Sequence, residues 1–190
     1  MLSDEFIRLF DSLFHDAQKY RQLIQAIAKH RYGVARETLL QELKIKTGGR
    51  AHKRLRELEE AGFITQFLPI GRKKDPWLRV IDEFSLFHLQ WMTGLTKGVL
   101  GRAQGNVWLK CLGKPAWYTW AGMSFEAICY KHVGLITQAM GIDNIPCEIG
   151  TWWLKPDLKE KFPGVQIDLV IDRDDGVVTL CEMKHTKNLW

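Results

Sequence analysis

"VQIDLVIDRDDGVVTLCEMKHTKN", Val165 to Asn188, decides what the second half of this chain is. Two runs rich in Val, Ile and Leu flank an Asp-Asp-Gly turn, the composition of a β-hairpin. Asp168, Glu182 and Lys184 interrupt these runs where an alternating strand would place bulk. Loop length sets which residues face each other. A two-residue Asp175-Gly176 loop pairs Asp168 with Met183 and sends Glu182 to the opposite face. A three-residue loop, Asp174-Asp175-Gly176, fits a type I turn closed by a left-handed glycine and a bulge. It pairs Arg173 with Val177, and therefore Asp168 with Glu182. The longer loop is favoured because glycine then stands where positive φ is required.

Side chains alternate along a strand, so Lys184 shares the face of Glu182. Opposed residues on neighbouring strands have Cβ atoms roughly 4.5–5.5 Å apart, close enough for two carboxylates to share one cation. Hard cations such as Mg²⁺ prefer oxygen ligands, and a metal held this way activates water and stabilises charge on a scissile phosphate. A lysine alongside positions or polarises that water. The alternative is a surface hairpin with ordinary solvated charge.

Upstream, "IPCEIGTWWLK" reads as a further strand of the same sheet. Before it, "GMSFEAICYKH" reads as helix, with Glu126 beside an apolar face of Phe125, Ile128, Cys129 and Ile136. His132 has no partner that would make it a ligand and reads as a packing residue. Half of the eight tryptophans lie between Trp91 and Trp120, and their helical spacing assigns them to core packing. Gly94, Gly98, Gly101 and Gly105 loosen the chain, which divides it into residues 1–92, a linker over 93–106, and residues 107–190.

The first part has a different grammar. "YRQLIQAIAKHR" places Leu23, Ile24, Ile27 and Ala28 on one helical face. "VARETLLQELK" does the same with Leu39, Leu40 and Leu43. A third helix, "GGRAHKRLRELEEAGFI", buries Ala51, Leu55 and Leu58 and ends at Gly62, leaving Arg50, Lys53, Arg54 and Glu57 for the outer side. Two short strand-like runs, "FITQFLPI" and "PWLRVID", flank the basic turn "GRKKD". Three helices and a hairpin describe a winged helix-turn-helix. Its expected use is duplex DNA binding, with the third helix in the major groove and Arg72, Lys73 and Lys74 on the backbone. Acids toward the end of that helix, Glu57, Glu59 and Glu60, work against this reading. The alternative is an intramolecular or protein–protein spacer. "DEFSLFHLQWM" continues as helix, with Phe84, Phe87, Leu89 and Trp91 expected inside.

Composition sets the outer bounds. At 190 residues and 46% hydrophobic content the chain can bury a core, and a net charge of +5 permits an anionic partner. Four cysteines without a CxxC pair read as small apolar residues in a reducing compartment. The opening "MLSDEFIRLF" lacks the basic region of a signal peptide, and no apolar run approaches the roughly 18 residues of a membrane span. The expectation is a soluble, cytoplasmic protein.

With Asp168, Glu182-Met183-Lys184 and Glu126 in view, the chain resembles the PD-(D/E)XK nuclease superfamily. Asp168 matches the first acid, Glu182 and Lys184 the ExK half, and Glu126 the glutamate many members carry on the preceding helix. Gln166-Ile167 replaces the usual proline before the acid. The winged helix, "VIDEFSLFHLQWM" and "WAGMSFEAICYKH" together resemble a narrower group, the C-terminal region of prokaryotic AAA-type ATPases. That resemblance implies an α+β chain: an N-terminal winged helix followed by a partial PD-(D/E)XK nuclease-like core. It also implies Mg²⁺ on Asp168 and Glu182, with Glu126 as an auxiliary carboxylate. No GxxxxGK[ST] phosphate loop occurs, so no ATP site of that kind is expected in this chain. Such cores normally add a helix and a strand after the ExK strand, so the core is expected to be cut short. The far sheet edge should then lie open to a second copy or another partner chain.

Overall fold

The computed structural model describes residues 2–93, 109, 111–154 and 163–186. It is a mixed α+β chain with two small antiparallel sheets. Helix α1 (Leu2–Leu13) carries Phe6 and Phe10 one turn apart, and both are buried. Helices α2 (Ala17–Ile27), α3 (Arg36–Glu42) and α4 (Gly49–Glu60) follow, with the short strand β1 (Val34–Ala35) between the first two of these. Helix α4 stops where its sequence demands. Gly62 adopts φ +76°, and the N–H groups of Gly62 and Phe63 donate back to the carbonyls of Glu59 and Leu58 at 2.9 Å each. This is a Schellman closure, and buried Leu58 and Phe63 supply the apolar contact that accompanies it.

Strands β2 (Ile64–Phe67) and β3 (Trp77–Val80) form the expected hairpin. The structure adds β1 on the other side of β3, pairing Val34 with Leu78, so the sheet order is β1-β3-β2. Asp82 caps α5 (Glu83–Phe87) by accepting from the Ser85 N–H at 2.6 Å. The chain then passes into a π-helical turn over His88–Met92. Here the expected inward residues differ: Phe84, Phe87, Leu89 and Trp91 are only half-buried, while Ser85, Leu86, His88 and Met92 are buried. The wider π turn rotates the face that a uniform helical period would assign. Trp91 instead packs edge-on to Trp120, with ring centroids 6.0 Å apart. Apart from Thr93, the expected linker over 93–106 lies outside the described residues.

Helix α6 (Pro115–Lys131) starts with proline at its first position, and α7 (Val133–Ala139) follows directly. His132, between them, is exposed rather than packed, because it sits where one helix ends and the next begins. Strands β4 (Cys147–Leu154), β5 (Val165–Arg173) and β6 (Val178–Cys181) form the second sheet in that order, leaving β6 at an edge.

Two hydrophobic clusters result. The first gathers α1, α2, α4 and the first sheet, and it also takes in Ala127 from α6. The second holds Ile142, Leu169, Ile171 and Met183, against partly buried Phe125, Cys129, Tyr130 and Val133 of α6 and α7. Near Gly150 the second sheet meets the β2–β3 connection. The Ile70 N–H donates to the Thr151 carbonyl at 3.0 Å, and a Cβ on Gly150 would lie 2.8 Å from the Leu68 carbonyl oxygen. No helix among the described residues is long and apolar enough to cross a membrane.

Candidate functional site

The hairpin at the end of the chain has the three-residue loop. Gly176 adopts φ +82° and donates to the Arg173 carbonyl at 3.0 Å, and the Arg173 N–H donates to Val177 at 3.1 Å. Pairing then runs from Asp172–Val178 to Leu169–Cys181. Extending this register by one residue sets Asp168 opposite Glu182, as the turn chemistry predicts. Regular pairing stops at Cys181, however. On its other side β5 carries a bulge: Val170 pairs with Gly150 and Ile167 with Trp152, so Asp168 and Leu169 oppose Thr151 alone. Bulges bend a strand and re-aim its side chains. Here the Asp168 carboxylate accepts the Met183 N–H at 3.0 Å. A continued ladder would send that N–H to the carbonyl of residue 167. The side chain of Asp168 has replaced a backbone acceptor, which explains where β6 ends.

Glu126 is not a solvated surface acid. It is 5% exposed and meets the Arg31 guanidinium at 3.1 Å, linking α6 to the turn after α2. Burial pushes the Glu126 carboxyl above its ordinary range, outweighing the opposite effect of Arg31, and the Asp168 charge pushes it the same way. Partial burial works against the Arg31 charge, but the Glu126 carboxylate overcomes it and holds the guanidinium firmly charged. Tyr130 completes the group. Its hydroxyl donates to the Asp168 carbonyl, and the Arg79 guanidinium lies 4.0 Å from its ring centroid. Burial raises the Tyr130 hydroxyl, and the neighbouring Asp168 and Glu126 charges add to that.

The structure therefore brings Glu126 and Asp168 together with Arg31, Arg79 and Tyr130, three residues the sequence reading did not single out. Arg31 and Glu126 stand 95 positions apart, and no local pattern marks such a pair. Glu182 and Lys184 are placed differently. Each side chain is 60% exposed, and the two face each other at 3.4 Å. Among the described residues no three His, Cys, Asp or Glu side chains converge as a metal-ligating group. The ladder thus ends one residue short of the expected Asp168–Glu182 pair, with Asp168 engaged by the Met183 N–H and Glu182 near Lys184.

The basic residues also sort into two kinds. Arg50 and Lys53 are exposed on α4. Arg54 is not on the outer side. Its side chain is 19% exposed and pairs with Asp16 at 3.1 Å, because its helical position turns it toward the start of α2. Glu57 likewise turns inward and accepts from the Tyr20 hydroxyl. Burial and this carboxylate push that hydroxyl up to about 12. Glu59 is held by Gln66, whose backbone N–H donates at 2.8 Å and whose amide donates at 2.6 Å. Two of the three acids weighed against α4 are therefore engaged within the fold. What remains outward is a groove of about 410 Å³ lined by Arg36, His52, Lys53 and Arg56, with the hydrogen-bonded Glu59 and Gln66 on the same wall. His52 and Arg56 follow from helical spacing, one turn apart on the face away from Leu58, and were readable in principle. At the β2–β3 turn Lys73 and Lys74 are exposed, whereas Arg72 lies 4.9 Å above the Trp153 ring.

No protein-family model, curated protein or solved structure matches the chain.

Proposed function

We propose that this chain is a DNA-binding module in which a winged helix, built from α2 to β3, is docked on a PD-(D/E)XK-like sheet. The observation that carries this reading is the outward face of α4. Arg36, His52, Lys53 and Arg56 line its groove; Glu59, on the same wall, is engaged by Gln66, and Glu57 accepts from Tyr20, so the cations outnumber the acid that faces them. Lys and Arg on such a face displace counterions from the duplex backbone, and that release supplies most of the sequence-independent affinity. The ion pairs Lys53–Glu57 and Arg56–Glu60, at 3.7 and 3.8 Å, are long, and exposed pairs of this sort contribute little. Both cations therefore stay available to phosphate. Lys73 and Lys74 would extend the contact along the backbone, while Leu68 to Ile70 serve the internal docking.

A second reading, a Mg²⁺-dependent phosphodiesterase with Asp168, Glu182, Lys184 and Glu126, is favoured by the Asp168–Glu182 register. The donor set does not fit a bound Mg²⁺ as it stands, because no three acids converge among the described residues, Asp168 accepts the Met183 N–H and buried Glu126 is held by Arg31. Cleavage of DNA in Mg²⁺ or Mn²⁺ that disappears in Glu182→Ala would promote this second reading over the first.

The DNA reading is tested by titrating a blunt duplex at several salt concentrations. Lys53→Ala and Arg56→Ala should each weaken binding, and each should reduce the slope of log K against log salt by about 1. Unchanged slopes in both variants would remove α4 from the interface.

A further inference from the structure

A cleft of about 400 Å³ opens between the turn after α2 and the β4–β5 edge of the second sheet. We propose that it binds one unpaired nucleotide, with the base against its aromatic rings and the phosphate against Lys29 and Arg31. This deepens the DNA-binding reading and rests on it. The volume falls within the range of pockets that hold small ligands. Rings from three elements line it: Tyr32 after α2, Trp77 at the start of β3, and Trp153 of β4. Tyr32 is 43% exposed, and the Trp77 and Trp153 rings pack 4.3 Å apart, so one ring is open to solvent while two form a supported wall. The buried Trp77 indole N–H has no partner among the described residues.

Cations accompany the rings. Lys29 is exposed, the Arg31 guanidinium is 5.0 Å from the Tyr32 ring, and Arg72 lies over Trp153. Among the described residues no aspartate or glutamate lines the cleft. A flat ring with positive charge beside it suits a planar base carrying a phosphate, since bases of every kind stack on aromatic side chains. Arg72 joins the cleft to Lys73 and Lys74, so a strand following the basic turn would arrive at its mouth. The same ligand chemistry exists in a free nucleotide, which the experiment separates from a strand.

The test compares a blunt duplex with the same duplex carrying a short single-stranded overhang, and adds dAMP alone as a third ligand. Stacking of one base predicts that the overhang substrate binds roughly 5- to 150-fold tighter than the blunt one. That advantage should vanish in Tyr32→Ala, and should fall in Lys29→Glu, an exposed change that leaves the core untouched. Affinity for the blunt duplex should stay as in the parent for Tyr32→Ala. A response to dAMP that Tyr32→Ala abolishes, without any overhang advantage, would keep the nucleotide site and assign it to free nucleotide. Equal affinity for blunt and overhang duplexes together with no response to dAMP overturns the proposal. Loss of blunt-duplex binding in Lys53→Ala reports on α4 alone, so failure of the cleft and failure of the DNA reading are distinguishable.

Discussion

Among the described residues, nineteen buried side chains close on one another around α2 and α4, whereas the cluster beneath the β4–β5–β6 sheet holds four. The first set spans helices on several sides of a small sheet, and the second lies between one sheet face and two helices. Small units bury too little of their own surface to be stable alone and need outside support. The second unit finds that support on the first: Ala127 enters the first cluster, Arg31 meets Glu126, and the Leu68–Ile70 segment lies on Gly150. Dependence should then run one way. Leu58→Ala and Leu169→Ala both empty fully buried sites, and each should cost about 2–5 kcal/mol. Leu58→Ala should weaken amide protection in both units, while Leu169→Ala should release β5 and leave α2 and α4 protected. Hydrogen exchange reads this directly. Equal loss of protection in α2 for both variants would mean one cooperative unit and no hierarchy.

The seam itself is tested by a single methyl group. Gly150→Ala sets a Cβ 2.8 Å from a backbone oxygen, so either β4 or the β2–β3 connection must move. Overpacking of this kind costs about 1–3 kcal/mol. Gly122→Ala on α6 is the matched control. No described residue lies within 4 Å of the added methyl there, and replacing a helical glycine should stabilise by roughly 0.5–1 kcal/mol. Urea midpoints moving in opposite directions are the expected result. A neutral Gly150→Ala would show that the two units are not pressed together at this point.

The same division governs what the sequence discloses. Helices α2 to α4 could be placed from Leu23, Ile24, Leu39, Leu40, Leu55 and Leu58, because apolar spacing is a local property. The hairpin register followed from one glycine, since only the three-residue loop puts Gly176 at positive φ. Helix α1 is legible in the same way, since Phe6 and Phe10 stand four residues apart, an i,i+4 spacing that marks a helical face. The candidate site was only half visible. Asp168 and Glu182 could be paired from the turn, but the bulge at Asp168 and the end of β6 depend on β4 and on the Met183 N–H. The inward turn of Arg54 and the burial of Glu126 depend on Asp16 and Arg31, partners set by tertiary packing and not by spacing.

Glu126 gives the smallest effect and the most specific one. An unfolded chain releases this proton near the ordinary value of 4.5, whereas burial raises the group in the folded chain. Between those two values the folded state binds more proton than the unfolded state, so this group's contribution to stability falls as pH rises through the window. Glu126→Gln keeps the shape and an oxygen for Arg31 but has no proton to lose. The variant should differ from the parent by no more than about 1 kcal/mol near neutrality. Its stability should decline less than the parent's as pH climbs upward from about 4.5, the ordinary glutamate value. Urea midpoints taken at intervals across that range provide the measurement. Parallel pH profiles would mean that Arg31 compensates the buried charge in full, and the seam would then hold an ion pair indifferent to pH.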